Sequence, residues 1–503
     1  MRKAALLALA LAIALVAAPA ASAAPATDTS ALRDAVTVGG ILEHEQALQD
    51  IADANNGTRA SGTSGFDASK DYVVEQLESA GYDVTVQPFT FPFFKELSDP
   101  TFSRTSPTPE TYILGTDFQS MEYSGSGDVT GAVVPTNDIV IPPGAEAGTS
   151  NSGCEASDFA PASTTETQVA LVQRGTCDFI VKAQNAAAAG YDAVIIFNEG
   201  QEGRTDIING TLGGPVSIPV LDATFAVGEE LYNLSQAGTT TVHIVTNTQS
   251  EVRTTYNVIA DLPGGRTDRT VVVGAHLDSV PEGPGINDDG SGTATDLEVA
   301  LQMAGTSTQN HVRFIWFGAE EAGLLGSQAY VASLTKREQK DIMVMLDFDM
   351  LASPNYVRFV YDGDGSSTGT KGPTGSGNIE AVFNEFWNSQ GLATEPTAFD
   401  GRSDYDSFTA VGIPAGGIFA GAEGIKTPGE ALIYGGTAGE PYDECYHLAC
   451  DRMSNLNLEA LDQFSDAVAH AVLTFANTTS SASGTAKGSG TPSSENQGPW
   501  KVR

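Results

Sequence analysis

From residue 256 to residue 476 the chain alternates short apolar runs with amphipathic ones. This alternation constrains the fold more than any other feature of the sequence. Residues 271–276, 312–317, 342–350, 356–361 and 414–419 read as strands. Residues 293–304, 324–334, 376–390 and 456–476 read as helices between and after them. Strands this apolar have to be covered on both faces, so the expected fold class is α/β, a mostly parallel mixed sheet with helices on both sides. Upstream, 41–52 and 69–80 carry helical periodicity and 82–91 alternates like a strand.

Between these two blocks the character changes. Residues 93–251 are rich in Gly, Thr and Ser, with β-like runs at 169–172 and 194–197 around an Ala-rich helix at 181–190. The surrounding pattern resumes afterwards, so this stretch reads as a small β-rich insertion. With 503 residues the chain exceeds one ordinary core. The expected division is a leader at 1–23, a discontinuous main domain at 24–92 and 252–477, the insertion at 93–251, and a disordered Ser/Gly-rich tail at 478–503.

The leader has a basic start (Arg2, Lys3), an apolar run at 4–18 and a small-residue cleavage site at Ala21-Ser22-Ala23. Removing it leaves 23 basic against 63 acidic residues. That field repels nucleic acid and anionic lipid and favours cations. The chain is therefore expected to be secreted, extracellular, free of the membrane once the leader is gone, and monomeric. Four cysteines in an exported chain suggest two disulfides. Three pairings are open, and the near-neighbour one, Cys154–Cys177 with Cys445–Cys450, is the expected one.

Of six histidines, two keep unusual company. His276 ends the 271–276 strand and is followed by Leu277 and Asp278, and His447 lies between Cys445 and Cys450. In open α/β sheets ligands bind beyond the carboxyl ends of the strands. There the sequence places Asp288, then Glu320 and Glu321, then Asp347 and Asp349. A single loop carboxylate is usually solvated. Several at one rim repel unless a cation sits among them. Two His with three or four acids suffice for two zinc ions if one carboxylate bridges.

These motifs carry a resemblance. Gly274-Ala275-His276-Leu277-Asp278, Gly285-Ile286-Asn287-Asp288, Gly318-Ala319-Glu320-Glu321, Asp347-Phe348-Asp349-Met350 and Cys445-Tyr446-His447 occur in that order. Together they resemble the secreted bacterial double-zinc aminopeptidases, relatives of leucine aminopeptidase and glutamate carboxypeptidase. The resemblance implies that His276 and Asp349 hold one zinc, Glu321 and His447 the other, and Asp288 both. It implies Glu320 as general base, Asp278 orienting His276 by accepting its other N–H, and Tyr446 at the oxyanion. Relatives often have Asn where this chain has Asp347; the following Met350 assigns Asp349 as the ligand. Arg402 matches a position near the substrate, with a structural ion pair as the alternative. Asp462 and Asp466 on the last helix, with Asp34, resemble a calcium site. The insertion resembles a protease-associated domain on Val172-Gln173-Arg174-Gly175-Thr176-Cys177 and the following Ala-rich helix. Such domains lie near the active site and influence substrate access.

The implied substrate is a peptide or protein N-terminus. A preference for Leu, Met or Phe is expected from a wall of Met350, Leu351 and Phe419 among Gly416, Gly417 and Gly421. A carboxypeptidase would need further basic residues to grip a C-terminus. A single-zinc glutaminyl cyclase would lack the full ligand set. A non-catalytic binding module would have lost ligands, and here they persist.

Overall fold

The computed structural model describes residues 27–478. The leader at 1–23 and residues 479–503 of the tail lie outside the described residues. Fourteen strands form one sheet with helices against it. In the main domain the order runs Glu395–Thr397, Phe359–Tyr361, Ala415–Phe419, Ile342–Phe348, Arg266–His276, Asn310–Phe317, then Thr241–Asp261. The central pairs are parallel, and the pair of Asn310–Phe317 with Thr241–Asp261 is antiparallel. The expected mostly parallel mixed sheet is what the chain forms.

Period-two burial does not appear in the central strands because both faces are covered. All seven residues of Ile342–Phe348 are buried, as the continuous apolar run requires. One face packs Val271, Val273, Phe314 and Trp316 against the helices Ser291–Met303 and Leu458–Asn477, through Leu297, Phe464 and Val468. The other packs Val272, Ile315, Phe317 and Met345 against Tyr330, Tyr405 and Phe408.

Two long strands connect this domain to the insertion. Asp83–Ser106 pairs antiparallel with Thr241–Asp261 through twenty rungs, with Phe93 facing Glu251 across one of them. The first of these extends well past the expected strand at 82–91. Residues 96–99 are exposed in succession, so the alternation of an apolar face lapses there in the sequence. Beyond the ribbon the insertion continues the same sheet with Gly127–Pro135, Gln168–Gln173, Ala193–Phe197 and Val220–Ala223. Val169, Leu171, Ile195 and Leu221 pack one side of it, and Ala170, Val172, Val194 and Ile196 the other.

Both expected disulfides are present, Cys154–Cys177 within the insertion and Cys445–Cys450 around the Tyr446–His447 loop. No helix among the described residues is long and apolar enough to cross a membrane.

Candidate metal centre

The carboxyl ends of the parallel strands are brought to one edge by register. Phe317 pairs with His276, and Gly274 with Asp347. Beyond these rungs the chain turns sharply. Ala319, Met350 and His447 are non-glycine residues in the left-handed region (φ 52°, 55° and 59°), each at or beside a ligand candidate. Such conformations cost free energy and concentrate where surrounding structure enforces them for function. Asp288 follows a turn at Gly285 (φ 61°), and the Asp288–Asp289 peptide is cis.

Residues far apart in the chain converge here. His276 Nε2 lies 3.2 Å from Asp288 Oδ1, 3.7 Å from Asp349 Oδ1 and 3.9 Å from Glu320 Oε2. His447 Nε2 lies 3.0 Å from Glu321 Oε2 and 3.3 Å from Asp288 Oδ2. Asp288 thus turns one oxygen to each histidine. The groups His276–Asp288–Asp349 and Asp288–Glu321–His447 each gather three ligand atoms within 4.8 Å of one another, sharing Asp288.

The electrostatics call for positive charge. Burial pulls the His447 pKa down, but Glu321 and Asp288 outweigh it and hold it at about 11. At His276 burial acts the same way, and Glu320, Asp288 and Asp349 raise the pKa well above the ordinary imidazole value. Burial and Asp288 push Glu321 up, against the pull of His447, to about 7. Buried oxygens of this cluster, Asp288 Oδ2, Glu321 Oε1 and Asp349 Oδ1, have no aligned hydrogen-bond partner. Unpaired buried carboxylate oxygens are costly. A pair of divalent cations would satisfy them.

The nearer acceptor for His276 Nδ1 is the backbone carbonyl of Asp278 at 3.0 Å, and the Asp278 carboxylate is 3.8 Å away. That carboxylate instead accepts the Glu320 N–H at 3.2 Å. Asp347 is buried on the sheet below, whereas Asp349 lies past the strand end at the pocket and accepts from Ser403 Oγ at 2.8 Å. Ser403 is a contact that the sequence motifs do not signal. Leu351 belongs to the core beneath the sheet rather than to the pocket. Met350, Tyr361 and Phe419 form the apolar side of the pocket, with Tyr446 and Arg402 across its mouth. Arg402 pairs with Glu423 at 2.8 Å and donates to the Tyr446 hydroxyl at 3.2 Å, both at the pocket lining. Asp462 and Asp466 belong to none of the three-ligand groups found among the described residues, and Asp466 faces Arg33 at 3.4 Å.

Known proteins share this organisation. Residues 257–472 match the model of peptidase family M28, and residues 129–231 match the PA domain. An aminopeptidase of Pseudomonas aeruginosa is 48% identical over 434 residues, 85% of this chain and 79% of the relative. The chain belongs to peptidase family M28. A probable leucine aminopeptidase 2 of Aspergillus fumigatus is 39% identical to this M28 peptidase, over 90% of the chain and 86% of the relative. Among solved structures, the aminopeptidase of Aneurinibacillus sp. strain AM-1 superposes with a TM-score of 0.63 at 29% identity. It covers 90% of this chain and 96% of that one. A zinc aminopeptidase of Bacillus subtilis gives 0.58 at 25% identity, over 89% and 97%. The M28 peptidase is therefore a hydrolase of peptide bonds on a zinc-exopeptidase scaffold, with a PA domain inserted.

Proposed function

We propose that this M28 peptidase is an exported aminopeptidase that holds two zinc ions and releases single residues, large and apolar by preference, from free peptide N-termini. The observation that carries the reading is the division of Asp288 between His276 and His447. His276 and Asp349 would hold one ion, Glu321 and His447 the other, with Asp288 common to both. The donor set of imidazole and carboxylate suits zinc. The unpartnered buried oxygens and the raised histidine pKa values support two cations rather than none.

When bound, the zinc pair supplies Lewis acidity, polarising the scissile carbonyl and acidifying water. Glu320 lines the pocket 3.9 Å from His276 Nε2 and belongs to neither of these ligand sets. It takes a proton from the attacking water and returns it to the leaving amine. Burial raises its pKa, and although His276 opposes this, Glu321 and Asp349 add to it. Tyr446 donates its hydroxyl to the developing oxyanion. Burial and the nearby Asp288 and Glu321 keep that phenol protonated. The substrate's α-ammonium is drawn to the carboxylates of the pocket, and its first side chain packs on Met350, Tyr361 and Phe419. Glu423 neutralises Arg402, the guanidinium of the pocket lining, which favours an amine over a carboxylate terminus.

Both disulfides and the leader motif favour an oxidising, extracellular location. On this reading residues 24–92 and 252–477 form the peptidase unit of a monomer, and residues 93–251 shape access to it. The test combines metal analysis of the purified chain with release of leucine from a free and an N-acetylated leucyl peptide. Two zinc per chain and cleavage of the free peptide alone are expected. Equal cleavage of both, or no bound zinc, overturns the proposal.

A further inference from the structure

Among the buried carboxylates that lie beside the three-ligand groups without belonging to them are Asp289 and Asp443. Asp289 is fully buried. Its Oδ2 accepts the His276 N–H at 3.2 Å, and its Oδ1 accepts those of Gly292 at 2.8 Å and Met350 at 3.0 Å. The strands Arg266–His276 and Ile342–Phe348 share their last rung at Gly274 and Asp347. Past that rung the ladder no longer fixes their separation, yet it is there that His276 and Asp349 depart. Asp289 bridges the two chains at that level. Glycine at 292 is required for it: a Cβ there would lie 2.5 Å from Asp289 Oδ1 and 2.0 Å from the Phe348 carbonyl.

Asp443 does the corresponding work on the other side. Its Oδ1 accepts the Cys445 N–H at 2.8 Å, and its Oδ2 accepts Asn287 Nδ2 at 2.7 Å. Asn455 Nδ2 donates to both oxygens, at 3.0 and 2.9 Å. The loop that carries His447 is thereby fastened to the residue next to Asp288.

We propose that Asp289 and Asp443 are positioning residues, one for each metal position. Asp289 fixes the spacing of His276 and Asp349, and Asp443 that of His447 and Asp288. An asparagine at either place turns an NH2 toward a buried donor, and the unmatched group is expelled or shifts. This inference rests on the two-zinc reading. It adds that the two positions are supported by separate carboxylates and can be loosened one at a time.

The test is a titration of the chelator-stripped full chain with zinc alone, alongside its metal-free unfolding temperature. In a His447→Ala background, which leaves the His276 position, Asp289→Asn is expected to weaken zinc by about 10- to 100-fold. Asp443→Asn is expected to change it less than about threefold there. In a His276→Ala background the order reverses. Should Asp289→Asn fail to fold, Asp289→Glu keeps the charge, displaces the oxygens and supplies the same comparison. Equal losses at both positions, or losses that simply follow a lowered metal-free unfolding temperature, overturn the inference while leaving the two-zinc reading intact. An unmutated chain that binds fewer than two zinc overturns both.

Discussion

Arg402 donates to the Tyr446 hydroxyl at 3.2 Å while Glu423 grips both of its guanidinium nitrogens, at 2.8 and 3.2 Å. The phenolic oxygen is thus occupied as an acceptor, and its own proton is left to point elsewhere. Tyr446 stacks on His447 with ring centroids 3.8 Å apart and lines the same pocket as Glu320 and Glu321, where the proposed oxyanion role requires that proton. Removing one oxyanion donor of this kind costs about 10² to 10³ in turnover. Tyr446→Phe is expected to lower kcat by roughly that factor with little change in KM. Arg402→Ala, which only frees the phenol to rotate, is expected to cost about tenfold. Steady-state kinetics on leucyl anilide measure both.

Glu320→Gln keeps the shape of the side chain and removes its capacity to accept a proton. Turnover is expected to fall at least about 10³-fold, within the range set by loss of a general base. Zinc content is expected to stay at the wild-type level, because neither three-ligand group that shares Asp288 includes Glu320. Elemental analysis of the variant, set beside its kcat, checks the pair of outcomes.

Away from the centre, Asp261 receives a bidentate pair from Arg313 at 2.7 Å and His311 at 2.9 Å. Burial opposes ionisation, but the His311 and Arg313 hydrogen bonds outweigh it and hold the carboxyl at about 2, below its ordinary 3.8. A depressed carboxyl pKa stabilises the fold above the unfolded value and loses that contribution as pH falls through the folded one. Asp261→Asn is therefore expected to cost about 2 kcal/mol near pH 7. The difference should shrink between about pH 4 and pH 2, measured by urea unfolding of the metal-stripped protein.

The two disulfides are expected to fail differently. Cys445–Cys450 spans a separation of 5 residues and Cys154–Cys177 one of 23. Loop-closure entropy gives about 2 kcal/mol for the short loop and about 3 kcal/mol for the long one. Replacing Cys445 and Cys450 by serine should mainly weaken zinc at the His447 position. Replacing Cys154 and Cys177 should mainly lower the unfolding temperature of the insertion and leave leucyl anilide turnover near wild type. Zinc titration and calorimetry on the two double variants separate these effects.

Much of the centre was readable because most of its ligands end or closely follow apolar runs that read as buried strands, Asp288 and His447 being the two that lie in loops. His276, Glu320, Glu321 and Asp349 all sit at such ends. What escaped the sequence depends on geometry past the strand. Asp278 offers His276 its carbonyl rather than its carboxylate, a choice made by the Glu320 amide 42 residues away. Leu351 looked like a pocket wall by adjacency, yet the left-handed turn at Met350 sends it into the core. The apolar alternation of the long ribbon strand is interrupted at residues 96–99, which are exposed in succession, so its outer half does not read as a continuation of the inner one. Asp289 and Asp443 carry no motif beyond an acid in a polar loop, because the partners of Asp289 are backbone N–H groups and those of Asp443 are the Cys445 N–H and two asparagine side chains, one of them distant in the chain.

The shared ribbon bears on how the two units can move. A pair of strands running unbroken from one body into the other has no tether on which to swing. Any displacement of the inserted unit must flex a hydrogen-bonded plank, most readily at its register shifts near Glu96, Ser98 and Thr101. Phe91 and Phe93 lie at the near end of that plank and pack on Ala319, immediately before Glu320. Flexing of that plank would therefore bear first on the backbone beside Glu320.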